Sequence, residues 1–311
     1  MNYLKYFLQI ILLLFSSSVF AAKYSKSIKI GAGNILQGYY FVALDLCNTI
    51  KLVDKNCKCE VIVTTGSYEN LEMLRSGELD FALVQSNMAR EAFEGNGYYA
   101  DKEKIPTLRQ VLNLYDEIFT VIVRRDSDIK IFSDIGGKKI SNGPADSVSN
   151  VTYDALMKFY KLRHEPIDID LPYEQYAEKL CNKEVDALMI VTGHPNPFVN
   201  LIIDRCDVSF VPIETRKINK LVESNNAYHA TSLQRGLYYD VSNDEKTFAL
   251  SAIVVTNENF DSLFLKKFIN KFQEKNEIFK HSHYLLKNLG SDHFIKNFVL
   301  PAHKALHNFK I

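Results

Sequence analysis

The chain has 311 residues, 47% of them hydrophobic, with 37 Lys and Arg against 37 Asp and Glu. That length holds two lobes or domains at about 100–200 residues each. A formal net charge of zero lacks the basic bias of nucleic-acid binders, and no acidic tail is present.

The first residues predict export. Lys5 gives a positive start, residues 8–15 an apolar core, and Val19-Phe20-Ala21 a cleavage site. Residues 1–21 are therefore expected to be a cleaved signal peptide, leaving a periplasmic mature chain. The apolar run falls short of the ~20 residues that a membrane-spanning helix needs. No lipobox cysteine follows it. Export favours disulfides. The cysteines are Cys47, Cys57, Cys59, Cys181 and Cys206, an odd number, so one thiol is left over or pairs between molecules. Cys57-Lys58-Cys59 alone is no zinc quartet, and connectivity does not follow from spacing.

Strands and helices alternate along the chain. Residues 27–30 (SIKI) read as a strand, followed by a loop eased by Gly31, Gly33 and Gly38. Residues 39–50 read as a helix, 60–63 as a strand, and 69–75 as a helix with Leu71 and Leu74 on its apolar stripe. Residues 81–84 form a continuous apolar strand of the kind a sheet covered on both faces requires. This βαβαβ order predicts an α/β lobe. Residues 118–123 (IFTVIV) form a strand long enough to bridge two lobes. A second lobe follows: a strand at 138–141, a helix at 148–160 capped by Asp146 or Ser147, and a buried strand at 187–191. Residues 248–256 return the chain to the first lobe, and 261–311 read as a helical tail. The expected fold class is α/β, periplasmic binding protein-like (type II): two α/β lobes joined by hinge strands around a cleft. Lobe 1 takes 22–122 plus 247–311, and lobe 2 takes 123–246.

In open α/β sheets, ligands sit beyond the carboxyl ends of the strands. Here those ends carry Gly33-Asn34, Thr65-Gly66-Ser67, Gln85-Ser86, 143–147 and Gly193-His194-Pro195. Several lead straight into helices, whose N-termini favour a carboxylate without a dedicated arginine. Tyr39, Tyr40 and Tyr115 offer apolar walls with a polar tip; at most one of the adjacent pair Tyr39 and Tyr40 reaches a ligand, and Tyr115 sits in a loop-like setting.

The order of these segments resembles TAXI-type solute receptors, the substrate-binding subunits of TRAP (tripartite ATP-independent periplasmic) transporters. The resemblance runs over nearly the whole mature chain. It rests on Gly38-Tyr39-Tyr40, Thr64-Thr65-Gly66-Ser67 with Asn70-Leu71, Gly77 to Asp80, Gln85-Ser86-Asn87, Leu114 to Glu117, Gly137 to Ile140, Asp186-Ala187, and Gly193-His194-Pro195. It implies a small-molecule solute, acidic and glutamate- or dicarboxylate-like, passed to TRAP membrane subunits by a monomer without cofactor, catalytic residue or metal. Ligand contacts are expected from Asn34, Tyr39, Thr65, Gly66, Ser67, Asn70, Gln85 and Ser86 in lobe 1. Tyr115, Ser147, Gly193, His194 and Pro195 complete the set near the hinge and in lobe 2. Relatives with matching cysteines imply the pairs Cys47–Cys59 and Cys181–Cys206, leaving Cys57 free. Two departures bear on the ligand: Asp146-Ser147-Val148 stands where the family has Gly-Ser-Gly, and Asn87 where it has Asp.

Other readings are weaker. The glycines at 31, 33 and 38 miss the GxGxxG spacing of a dinucleotide site. GxSxG and HExxH are missing from the sequence, and His303 and His307, one helical turn apart, read better as a solvated face than as metal ligands. The remaining alternative is a secreted sensor or surface module using the same fold without transport.

Overall fold

The computed structural model describes residues 26–33, 38–145, 147–239, 241–287, 293–296 and 298–307. The expected signal peptide, Asn34 and Asp146 lie outside the described residues. The described strands form one ten-stranded sheet. In chain order they are β1 (Lys26–Gly31), β2 (Cys57–Ile62), β3 (Phe81–Gln85), β4 (Leu108–Arg124), β5 (Lys139–Ser141), β6 (Ile167–Asp168), β7 (Ala187–Thr192), β8 (Val208–Phe210), β9 (Tyr228–Leu233) and β10 (Glu245–Asn257). The helices are α1 (Gly38–Val53), α2 (Ser67–Ser76), α3 (Ser86–Glu94), α4 (Val148–Met157), α5 (Tyr176–Cys181), α6 (Pro197–Arg205), α7 (Thr215–Ser224), α8 (Ser262–Glu274) and α9 (Asn276–Ser282).

The sheet runs β2-β1-β3-β10-β4-β7-β5-β6, with β8 on β4 and β9 on β10. β1 pairs in parallel with β2 and β3, as two βαβ crossovers require. Side chains alternate between faces along each strand. Phe81 and Leu83 enter one apolar cluster with Ile28, Ile30 and α1. Ala82 and Val84 enter another with Leu71, Leu74 and Met88. The second half repeats this arrangement: Ala187, Met189 and Val191 face one cluster, Leu188 and Ile190 the other. Each half is thus a sheet with helices on both faces.

β4 and β10 belong to both halves. β10 pairs with β9 over Glu245–Leu250 and with β3 over Ala252–Thr256, so its partner changes at Ser251. β4 pairs with β10 along Leu108–Ile118 and takes β7 as partner from Ile118 onward. At about 3.3 Å per residue, the 17 residues of β4 span both lobes.

Both inferred bridges are at disulfide distance: Cys47–Cys59 joins α1 to β2 with Cα atoms 5.4 Å apart, and Cys181–Cys206 joins the ends of α5 and α6 at 5.7 Å. Cys57 is free and buried.

Several elements differ from expectation. The helix expected over 148–160 ends at Met157. The 118–123 strand extends back to Leu108, so Tyr115 stands in a strand and not in a loop. Among the described residues the tail is α-helical to Ser282; short turns follow, and Ala302 bridges to Gln110.

Candidate functional site

A cavity of about 510 Å³ lies where the halves meet. Four helices begin at its wall. Gly38 and Tyr39 open α1, Gly66 and Ser67 open α2, Ser147 and Val148 open α4, and Asn196, Pro197 and Phe198 open α6. The first N–H groups of a helix have no intrahelical acceptor and carry partial positive charge. On the lobe 2 side, side chains cap them. Ser147 accepts from the Asn150 N–H, and Asn196 Oδ1 accepts from the Phe198 and Val199 N–H groups. Pro197 suits the first helical position, where no N–H is needed. α2 has no side-chain cap. Its preceding residue, Gly66, has φ of 126°, a conformation L side chains rarely adopt.

The floor holds a carboxylate. Glu117, on β4, accepts hydrogen bonds at Oε2 from Gln85 Nε2 (2.8 Å) and the Tyr39 hydroxyl (3.2 Å). The Ser67 hydroxyl accepts the Gln85 backbone N–H at 3.0 Å and also reaches Tyr39. Burial raises the Glu117 pKa to about 7, against the pull of its two donors. Burial likewise pushes the phenols of Tyr39 and Tyr115 upward, so both remain protonated donors. Tyr39 and Tyr115 pack edge to face, with ring centroids 6.5 Å apart. Tyr173 is held by Ser149 at 2.8 Å, and Tyr284 and Leu285 reach the cavity from the tail. At the end of β7, a Cβ on Gly193 would lie 2.5 Å from Leu285 Cδ2 and 3.0 Å from Tyr115 Cε2. Only glycine allows this approach.

Of the residues singled out in the sequence, Tyr39, Thr65, Gly66, Ser67, Tyr115, Ser147 and Gly193 come together around the cavity. Of the other described ones, Asn70, Gln85, Ser86, His194 and Pro195 are not part of its lining. Asn70 is fully buried. Its amide donates to the Ala32 and Leu83 carbonyls at 2.6 and 2.7 Å and accepts from the Thr64 hydroxyl at 2.8 Å. Ser86 Oγ donates to the Ala227 carbonyl and accepts the Ser251 N–H, tying α3 to the second half. Gln85 acts on the cavity through Glu117. His194, followed by a cis bond to Pro195, also stands outside the lining. Thr120 donates its hydroxyl hydrogen to the Ile118 carbonyl, so His194 Nε2–H donates to Thr120 Oγ1 (2.8 Å). His194 Nδ1 then accepts from the Tyr238 hydroxyl at 2.7 Å. Burial lowers the His194 pKa to about 3, which makes it a neutral brace between β4 and β7. Sequence reasoning passed over Glu117, Tyr173, Asn196, Phe198, Tyr284 and Leu285 as site residues. Asn196-Pro197 carried a legible signal, a cap followed by proline at the first helical position.

The family model described as the NMT1-like family matches residues 30–309. The chain belongs to this family. Among solved structures, this NMT1-like chain is similar to the periplasmic aliphatic sulphonate binding protein SsuA from Escherichia coli. The TM-score is 0.52 at 15% identity, covering 89% of this chain and 80% of that one. It is also similar to XAC2383 from Xanthomonas citri in its ATP-bound structure, with a TM-score of 0.53 at 12% identity, covering 81% and 84%. At such identities the likeness establishes the fold: the NMT1-like chain has the two-lobed architecture of periplasmic binding proteins.

Proposed function

We propose that this NMT1-like chain is a periplasmic solute receptor that captures a small carboxylate-bearing molecule between its lobes and delivers it to TRAP-type membrane subunits, as the TAXI-like motifs imply. The observation that carries this reading is the junction cavity, with helix starts from both halves converging on it. A carboxylate there meets N–H groups and positive helix ends, and among the described residues no Lys, Arg or His side chain lines the wall. The groups nearest to catalytic chemistry are already engaged: the Ser67 and Ser147 hydroxyls each accept a backbone N–H, and His194 is neutral and bonded at both ring nitrogens. This supports binding without turnover.

The mature protein, purified free of ligand, should gain stability from its solute by mass action, about 2.7 kcal/mol at 100 times Kd. A thermal-shift screen of amino acids, dicarboxylates, keto acids and sugar acids reads this directly. A folded protein that responds to no carboxylate would refute the reading. Reconstitution with the cognate membrane subunits tests delivery: uptake should require this chain, and equal uptake without it removes the transport role.

A further inference from the structure

Glu117 is a carboxyl group built into a cavity that offers it no counter-cation. It reaches the lining from β4. Both of its donors are neutral, Gln85 Nε2 and the Tyr39 hydroxyl, and both meet the same oxygen, Oε2. Oε1 takes no hydrogen bond among the described residues. Unlike the unpartnered Gln85 Oε1, it is not sealed in the interior, so it opens on the cavity. The titratable groups facing Glu117 are Tyr39 of α1, Tyr115 and Asp116 of β4, and Tyr173 in the turn before α5. β3 contributes the neutral Gln85, and β10 sets Leu250 opposite. Asp116 points to the other face of β4, where it pairs with His229 of β9.

Two ionised carboxylates in such a space repel, and one of them takes a proton. A proton on Oε1 leaves Oε2 free to keep both of its bonds and turns Oε1 into a donor. We propose that the cavity binds its carboxylate solute together with one proton from solvent, carried on Glu117 Oε1, so that Glu117 donates to the ligand instead of repelling it. The inference rests on the receptor reading and adds a proton to it. No covalent bond to the ligand forms or breaks. Burial already holds the free carboxyl at about 7. Below that pH the proton is in place before the ligand arrives, and affinity is flat. Above it each ligand must bring a proton, and affinity falls by up to about tenfold per pH unit. Capture is thus favoured on the acid side of neutrality.

The probes are L-glutamate, 2-oxoglutarate, pyruvate and D-gluconate, whose carboxyl groups stay ionised above about pH 6. Titration calorimetry of the ligand-free protein in phosphate and in Tris counts the protons exchanged, because the two buffers differ in ionisation heat. A probe that binds should carry in more than about half a proton at about pH 8 and almost none at about pH 6. Glu117→Gln should remove both the uptake and the fall in affinity with pH. Tyr39→Phe removes a donor that favours the ionised carboxylate, so it should move the break in affinity to higher pH. Binding to wild type without proton uptake at the higher pH overturns the inference and leaves the receptor reading standing. Uptake that persists in folded Glu117→Gln does the same. If that variant does not fold, an unmoved break in Tyr39→Phe overturns it instead. If none of the four probes binds, and no acid of the wider screen does, the receptor reading fails and this inference with it.

Discussion

At the scale of single residues, Glu117 and His194 tie the site to pH in opposite directions. The Glu117 pKa is raised from 4.5 to about 7. The folded state therefore holds this proton more tightly than the unfolded chain does. The stability so gained is present below about pH 4.5 and is lost as pH rises through 7, about 3 kcal/mol in all. His194 is lowered from 6.5 to about 3, so its contribution is complete above pH 6.5 and is lost on acidification. Because the two overlap, the informative quantity is a difference. Relative to wild type, ligand-free Glu117→Gln should gain up to about 3 kcal/mol in urea denaturation between pH 5 and 8, and a constant difference would contradict a raised pKa. The other titratable groups around it are Tyr39, Tyr115, Tyr173 and Asp116, the last paired with His229. Asn70 separates support from contact. Asn70→Ala would strand the Ala32 and Leu83 carbonyls, at a cost of about 2–4 kcal/mol. Protein that remains folded should keep its ligand affinity within about twofold, because Asn70 has no face on the cavity.

At the scale of elements, local pattern and tertiary context separate cleanly. The 81–84 and 187–191 runs were legible because a strand buried on both faces must be apolar throughout. The helix over 39–50 was legible from its spaced apolar residues. Strand ends leading into helices also pointed to much of the cavity wall. What stayed hidden depends on pairing across the chain. Leu108–Ile118 reads as mixed polar and apolar because β4 there lies against β10 and the tail, which absorb Gln110 and Asn113. Glu117 looked like any polar residue flanking a strand; only the meeting of α1, β3 and β4 buries it. Asn70 and Ser86 fitted a ligand-binding pattern equally well, since hydroxyls and amides serve backbone carbonyls and solutes with the same chemistry. The bridges add a check at this scale. They close segments with sequence separations of 12 and 25. Chain entropy assigns each about 3 kcal/mol, and the longer loop about 0.6 kcal/mol more. Equilibrium unfolding of the Cys47→Ala/Cys59→Ala and Cys181→Ala/Cys206→Ala variants should show losses of that size and order.

At the scale of the whole molecule, β4 and β10 are both the connection and the hinge. They are continuous through the two halves, and β10 exchanges partners at Ser251 beside the register shift at Ala252. Bending is easiest where a ladder changes partner or register, because fewer paired hydrogen bonds resist it. The tail then acts on the cavity from outside both strands. It packs α8 on α1 in the first half and brings Tyr284 and Leu285 to the cavity, where Leu285 meets Gly193 of the second half. A ligand shifts an open–closed equilibrium only by binding one state better, and here that means touching helix starts from both halves at once. Saturating ligand should therefore lower the radius of gyration seen by small-angle scattering. Gly193→Ala tests the packing of the tail, together with the Tyr115 ring, against the end of β7. Its added carbon falls 2.5 Å from the end of Leu285, so Leu285 must retreat. The variant should fold with a modest stability loss of about 1–3 kcal/mol. Its affinity should drop about tenfold or more, and the ligand-induced compaction should shrink with it. Wild-type affinity and compaction in Gly193→Ala would mean that the packing of Leu285 and Tyr115 on Gly193 does not help to close the cavity.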